Sequence, residues 1–156
     1  MKHIALFCVL LSSWLNASAE PPVGVTPAVV GRGTYQPFKV QGADVKSVDF
    51  ASSTGRPVDV VVRTHDYAPG SSTGWHTHPG PVFITVVEGT LTFYEYDDGS
   101  CKSKVVSKGE GYVDNGRGHI ARNESGAPAR DVSVIVAPVG QPFRGELSAP
   151  APNCKF

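Results

Sequence analysis

Apolar residues in this chain fall in short runs separated by turn residues, and no stretch keeps a helical period for long. Val58 to Tyr67 is rich in β-branched residues and stops at Pro69-Gly70, a turn signal. Val82 to Val87 is a clean apolar strand, and Glu88-Gly89 followed by Leu91 to Tyr96 reads as a hairpin. Asp97-Asp98-Gly99 makes the next turn, with a strand over Lys102 to Val106. Gly109 to Asp114 turns into another short strand, Asn115 to Gly118 is a glycine-rich corner, and Ile120 to Asn123 continues as strand. Asp131 to Val139 is the last strand, with Val132, Val134 and Val136 on one face. Many short antiparallel strands at regular spacing predict an all-β domain, most simply a double-sheet jelly roll closed into a barrel.

The ends read differently. Lys2, the apolar run Ile4 to Leu11 and the small-x-small pattern Ala17-Ser18-Ala19 make residues 1–19 a secretory signal peptide, cleaved after Ala19. The run is too short to span a bilayer, and Cys8 lies inside it, so no membrane anchor is expected after cleavage. Residues 20–40 read as an N-terminal arm: Glu20 to about Val30 is Pro- and Val-rich without period, Gly31-Arg32-Gly33-Thr34 begins the ordered part, and Phe38 to Val40 suits an outer strand. Asp44 to Ser53 is polar and mixed. The barrel itself is expected over 41–139, and the Pro-rich stretch 140–156 is a tail.

Composition narrows the function classes. At 156 residues the chain is one domain, large enough to bury a core. The formal net charge of zero, with no cluster of lysine or arginine, argues against nucleic acid or an anionic membrane as partner. Signal cleavage leaves Cys101 and Cys154, and an even count in an exported chain predicts a disulfide that pins the tail to the sheet. The expected location is the periplasm or the exterior.

The chemistry centres on His76-Thr77-His78. In an extended backbone, residues two apart point to one face, so both imidazoles can converge on one point. His119, on a later strand, is the third candidate. Three imidazoles closing on one interior spot make a metal site with open coordination positions. His65, on the strand before Pro69-Gly70, either faces the cavity as substrate binder or acid/base, or is exposed. Trp75 and Tyr67 flank the site as cavity lining or core. Asn123 shares a face with His119 and is a candidate group behind it, although Asn123-Glu124-Ser125 also matches a glycosylation sequon. No phosphate loop, Gly-x-Ser-x-Gly elbow or close-spaced cysteine pair is present.

The stretch Gly70-x5-His76-x-His78-x3-Val82-x6-Gly89 resembles the first motif of the cupins, and Gly109 through Gly116 with His119 and Asn123 resembles the second. The resemblance covers roughly Val58 to Val139. More narrowly, the centre Gly-Trp-His-x-His-Pro-Gly-Pro is similar to a group of small exported cupins. It implies a double-stranded β-helix barrel with a metal held by His76, His78 and His119. Two positions depart from the family pattern: Val82 stands where a glutamate ligand is usual, and Asp114 where a proline is. Glu88 belongs to a turn and is expected to be solvated, while Glu110, Asp114 and Asp66 are the remaining carboxylates that could replace the missing ligand.

Three neutral imidazoles suit iron or zinc foremost, with copper, manganese and nickel as further candidates. Without a carboxylate the ion keeps its full charge and favours anionic or chelating ligands. The first expectation is therefore a small-molecule cupin with a three-histidine divalent metal, acting like a dioxygenase on an anionic or chelating organic substrate. The alternatives are a non-enzymatic metal- or ligand-binding cupin, and a zinc-dependent isomerase or hydrolase. Pairing of two copies through the Val30 to Val40 arm would give a homodimer.

Overall fold

Alternation along two long strands decides which side chains point into the barrel. The computed structural model describes residues 20–41 and 51–147, with Cys154 and Phe156. Strand β4 (Val58–Ser72) lies antiparallel between β1 (Val23–Tyr35) and β11 (Ala129–Pro138). Along β4, Asp59, Val61, Arg63 and Tyr67 are buried, in step with His65. Along β11, Ala129, Asp131, Ser133, Ile135 and Ala137 are buried. A period of two on strands buried on one face produces this pattern.

The remaining short strands curl the sheet into a nearly closed barrel. They are β5 (His76–Thr77), β6 (Val82–Glu88), β7 (Thr90–Glu95), β8 (Lys104–Ser107), β9 (Gly111–Asp114), β10 (His119–Arg122) and β12 (Gly145–Glu146). The order runs β12-β5-β10-β4-β11-β6-β9, with β1 on β4 and β7 bridging β10 and β8. Strands β2 (Lys39–Gln41) and β3 (Ala51–Ser53) pair with each other as a separate ribbon. No helix occurs among the described residues. The all-β barrel expected from the turn spacing is the fold observed.

The main core combines Val61, Val82, Ile84, Val86, Leu91 and Phe93 with Tyr112 and Ile135. At the other end, Trp75, Ile120 and Cys154 form a second cluster, flanked by Tyr94, Tyr96, Cys101 and Leu147. The expected disulfide joins Cys101 to Cys154, with Cα atoms 5.3 Å apart.

Two regions carry more structure than the sequence pattern reports. In the arm, β1 begins at Val23 and pairs with β4 from Val25 opposite Tyr67 to Tyr35 opposite Val58, with a bulge between Val29 and Gly31. Its side chains are almost all exposed, so no burial period marks it. The backbone ladder holds it, reinforced where Asp59 accepts hydrogen bonds from Arg32 Nε (2.7 Å), Thr34 Oγ1 (2.6 Å) and the amide of Gly140 (2.9 Å). The tail also carries structure, because β12 pairs with β5 and so lies beside His76.

On the outer face, Val62, Val134, Phe83 and Val113 sit side by side across β4, β11, β6 and β9. Val132, Val134 and Val136 share this half-exposed face rather than the core. The signal peptide expected over 1–19 lies outside the described residues, as does most of Asp44 to Ser53.

Candidate metal centre

Gly74 sets the approach to the site. Its φ is +65°, and a Cβ there would lie 2.1 Å from the carbonyl oxygen of Glu20, so only glycine fits. The extended residues after it place His76 and His78 on the same interior face, both buried, with Thr77 between them. His119 opens β10 and stands directly opposite His76 in the antiparallel pair. The ring centroids are 4.4 Å apart for His76 and His119, 5.0 Å for His76 and His78, and 5.6 Å for His78 and His119. One ring nitrogen from each lies within 4.8 Å of the others.

The second ring nitrogens fix the tautomers. Nδ1 of His76 lies 2.9 Å from the carbonyl of Gly74, and Nδ1 of His78 lies 2.6 Å from that of Phe143. A carbonyl only accepts, so each Nδ1 carries the proton and each Nε2 keeps its lone pair for a ligand. Burial and the neighbouring His119 push the pKa of His76 well below its ordinary value. Burial likewise takes His78 down to about 4. Both are neutral at physiological pH, the form that coordinates metal.

His119 has a different support. Its Nδ1 is 3.2 Å from Oδ2 of Asp114, and both residues are buried. The contact falls short of an in-line hydrogen bond, and neither atom has any other hydrogen-bond partner. Burial opposes ionisation of Asp114, but the attraction of His119 and the hydrogen bond from the amide of Gly116 outweigh it and hold the carboxyl below its ordinary pKa. A carboxylate behind a histidine orients the ring and raises its basicity as a ligand. Asp114→Asn keeps the shape and removes the charge. It should weaken metal binding by roughly 10–100-fold, measured by competition against a chelator of known affinity.

The pocket between the three histidines is about 20 Å³, closed by Val82, Ile84, Ala121 and Ile135. That is room for one ion or one water. The donor set fits a borderline divalent metal: three neutral nitrogen donors, two of them anchored by backbone carbonyls and one by a carboxylate. Val82 is buried in the wall, so the position that would carry the usual glutamate is apolar. Asp114 lies in register opposite Val82, one shell behind the histidines. The other carboxylates do not replace the ligand: Asp66 pairs with Arg130 at the surface, Glu110 takes the amide of Ser107, and Glu88 is exposed.

A larger chamber of about 410 Å³ shares Arg63, His65, Thr73 and Arg144 with this pocket and is walled by Pro22, Val25 and Pro27 of the N-terminal strand region. In the histidine pocket beside it, Asp131 is fully engaged. It lies 2.8 Å from Nδ1 of His65 and accepts from Tyr67 Oη (2.7 Å) and Ser133 Oγ (3.0 Å). Burial, and then Asp131 itself, raise the Tyr67 hydroxyl well above its ordinary pKa, so it serves as a donor.

His65, Tyr67 and Val82 thus line the cavity. Trp75 does not: it packs edge-on to Tyr96 at 5.5 Å and stacks with Phe156 at 6.3 Å, in the second core cluster. Asn123 is a correction. It is fully buried, donates to the carbonyls of Tyr67, Ala68 and Ala127, and accepts from Ser125, which fixes the corner after β10. It supports no histidine, and an amide so enclosed offers no room for a glycan.

Sequence reasoning missed Arg63, Asp131, Ser133, Thr73 and Arg144. Arg63 is in phase with Val61, His65 and Tyr67, and Asp131 and Ser133 are in phase with Ile135, so strand alternation alone could have turned them inward. Arg144 had no such signal.

Comparison with known proteins agrees with the barrel. Residues 63–135 match the Cupin domain family. No curated protein sequence matches the chain. Among solved structures, a recombinant oxalate oxidase in complex with glycolate is 24% identical with a TM-score of 0.51, over 89% of this chain and 62% of that one. A double-stranded β-helix protein from Klebsiella pneumoniae is 22% identical over 71% of this chain and 84% of that one, with a TM-score of 0.48. A cupin domain from Bordetella pertussis is 20% identical over 75% and 96%, with a TM-score of 0.47. At these identities the likeness is one of fold. The family match spans β4 to β11 and contains all three histidines, and it makes this chain a cupin-domain protein.

Proposed function

We propose that the barrel holds a divalent transition metal at His76, His78 and His119, with iron or zinc ahead of copper, manganese and nickel. We further propose that it acts there on a small anionic or chelating organic molecule. The observation that carries this reading is the anchoring of all three imidazoles from behind, with ring nitrogens within 4.8 Å of one another around an ion-sized space. Held by His76, His78 and His119, an ion would keep its full charge and would supply polarisation of an anionic substrate or, as iron, oxidative cleavage by dioxygen.

The chain's own groups have separate tasks. Val82, Ile84 and Ile135 give the inner pocket an apolar wall. His65, held through Nδ1 by Asp131, is oriented to take or give a proton in the chamber. The Cys101–Cys154 bridge supports an oxidising compartment, periplasmic or extracellular.

Metal analysis tests the reading. Protein stripped with chelator and reloaded with each of the five ions should retain about one ion per chain after desalting. Retention of none sinks it. Val82 in the ligand position favours a second reading, a non-enzymatic binder. Oxygen uptake by the iron-loaded protein with small carboxylates and dicarbonyls separates the two, because the binder consumes none.

A further inference from the structure

Arg63 is a buried cation with no ion pair among the described residues. It is 9% exposed, lies on the inner face of β4, and lines both the histidine pocket and the chamber above it. Its Nε has no hydrogen-bond partner. Buried arginines are almost always paired, because an uncompensated charge in a low dielectric is costly. The carboxylate that acts on it, Asp131, already serves His65, Tyr67 and Ser133. What Arg63 does have is the ring of Phe143, 5.0 Å from its guanidinium carbon. Burial and the neighbouring Arg144 both work against its charge, and Asp131 and Tyr67 offset part of that.

Arg144 is held in place rather than free. It donates to the carbonyl of Thr73 at 2.8 Å and grips Glu146 through Nε and Nη2 at 2.6 and 2.8 Å. Its charge is therefore largely answered by Glu146, and its position is fixed beside Arg63 on the same cavity. Among the described residues lining this cavity, Arg63 is the arginine without an ion pair, with Asp131 favouring its charge from nearby.

We propose that Arg63, with Arg144 beside it, anchors the carboxylate of a small organic monoanion whose apolar body lies along Pro22, Val25 and Pro27. A guanidinium offers a planar fork that matches a carboxylate in two hydrogen bonds. A single guanidinium without an ion pair suits a monoanion, whereas a phosphate dianion would bring more negative charge up to Asp131. The apolar wall favours a ligand with a short hydrocarbon body. The inference deepens the proposed function by naming the substrate class, and it rests on reading the barrel as a small-molecule site.

Calorimetric titration with matched probes tests it. Phenylacetate and butyrate are compared with phenylacetamide and butyramide, which nearly share their shapes without the charge, and with inorganic phosphate. The protein is used in metal-stripped and zinc-loaded forms. Both forms should prefer each carboxylate over its amide by about tenfold or more, and over phosphate. Arg63→Gln should abolish the preference, Arg63→Lys should keep part of it, and Arg144→Gln should weaken it by a smaller factor.

Equal binding of acid and amide by the stripped protein overturns the proposal. So does a preference that survives Arg63→Gln, or a preference for phosphate. A preference confined to the zinc-loaded form and indifferent to Arg63 would place the carboxylate on the metal, sinking this proposal while sparing the metal reading. Failure to bind metal, with an intact preference in the stripped protein, would do the reverse. Thermal melting separates a purely structural role: losing an unpaired buried charge should leave Arg63→Gln at least as stable as the parent, whereas a brace for Phe143 would melt earlier.

Discussion

Alanine at both His76 and His78 is expected to leave a folded barrel that no longer retains metal. The two side chains supply two of the three ligand nitrogens gathered within 4.8 Å, and His119 alone would hold an ion only as weakly as a surface histidine. Loss of a group behind a ligand costs about 10–100-fold in affinity, and loss of two ligands should cost far more. The fold should survive, because each of these side chains makes only one hydrogen bond, to Gly74 or Phe143, and Val61, Val86 and Leu91 of the main core do not line the histidine pocket. Elemental analysis after reloading, beside circular dichroism of the same sample, checks both halves. Metal retained at the parent's level would show that the ion sits elsewhere.

The pH dependence has a definite sign. His78 has a pKa near 4 in the metal-free fold, and its ordinary value is 6.5, because burial disfavours the charged ring. The unfolded chain therefore binds the proton first as pH falls. The contribution of His78 to the stability of the metal-free protein should decline from about pH 6.5 towards 4, and His76 should add to the loss in the same direction. In the double alanine variant this part of the decline should vanish, which acid titration of denaturation midpoints would show.

How much of this was legible in the sequence depends on whether a residue's partner is local. His76 and His78 declare themselves because a period of two is a property of the strand itself, and His119 follows from its place after a glycine-rich corner. The barrel is legible for the same reason, since every turn is written in Gly, Pro and Asp. The arm was not, because β1 exposes nearly all its side chains and is held by a ladder to β4 that no periodicity reports. Asn123 was misjudged on a sound premise: it continues the face of His119, but the strand ends at Arg122 and the side chain turns to the corner it fixes.

Arg144 shows the limit most clearly. It lies in a Pro-rich tail without pattern, and reaches the site only because β12 pairs with β5. The role of Asp114 is the intermediate case. Its sequence position marks a departure from the family pattern, but only the strand register, which sets it opposite Val82 and against His119, shows that a carboxylate remains at the site without being a ligand.

Removing the Cys101–Cys154 bridge by serine at both positions is expected to cost about 4 kcal/mol, from the chain-entropy cost of closing a loop of this length. The cysteines are 53 residues apart in sequence, so the bridge constrains a large part of the unfolded chain. The native state loses packing as well. Cys154 lies against Trp75 and Ile120, and Phe156 stacks on Trp75 with the Arg122 guanidinium 4.1 Å over its ring. Once the tail is untethered, Trp75 becomes accessible one residue before His76.

Denaturation followed by tryptophan fluorescence should therefore show a lower midpoint and an earlier red shift for the double serine variant. Reductant should move the parent to the same curve and leave the variant unchanged. Cys101 adds a refinement, because its φ of +51° lies in the left-handed region. Glycine at 101 should accordingly lose less than serine by roughly 1 kcal/mol. A total loss below about 1 kcal/mol would mean that packing on Trp75 already holds the tail and that the denatured chain is too compact for the closed loop to matter.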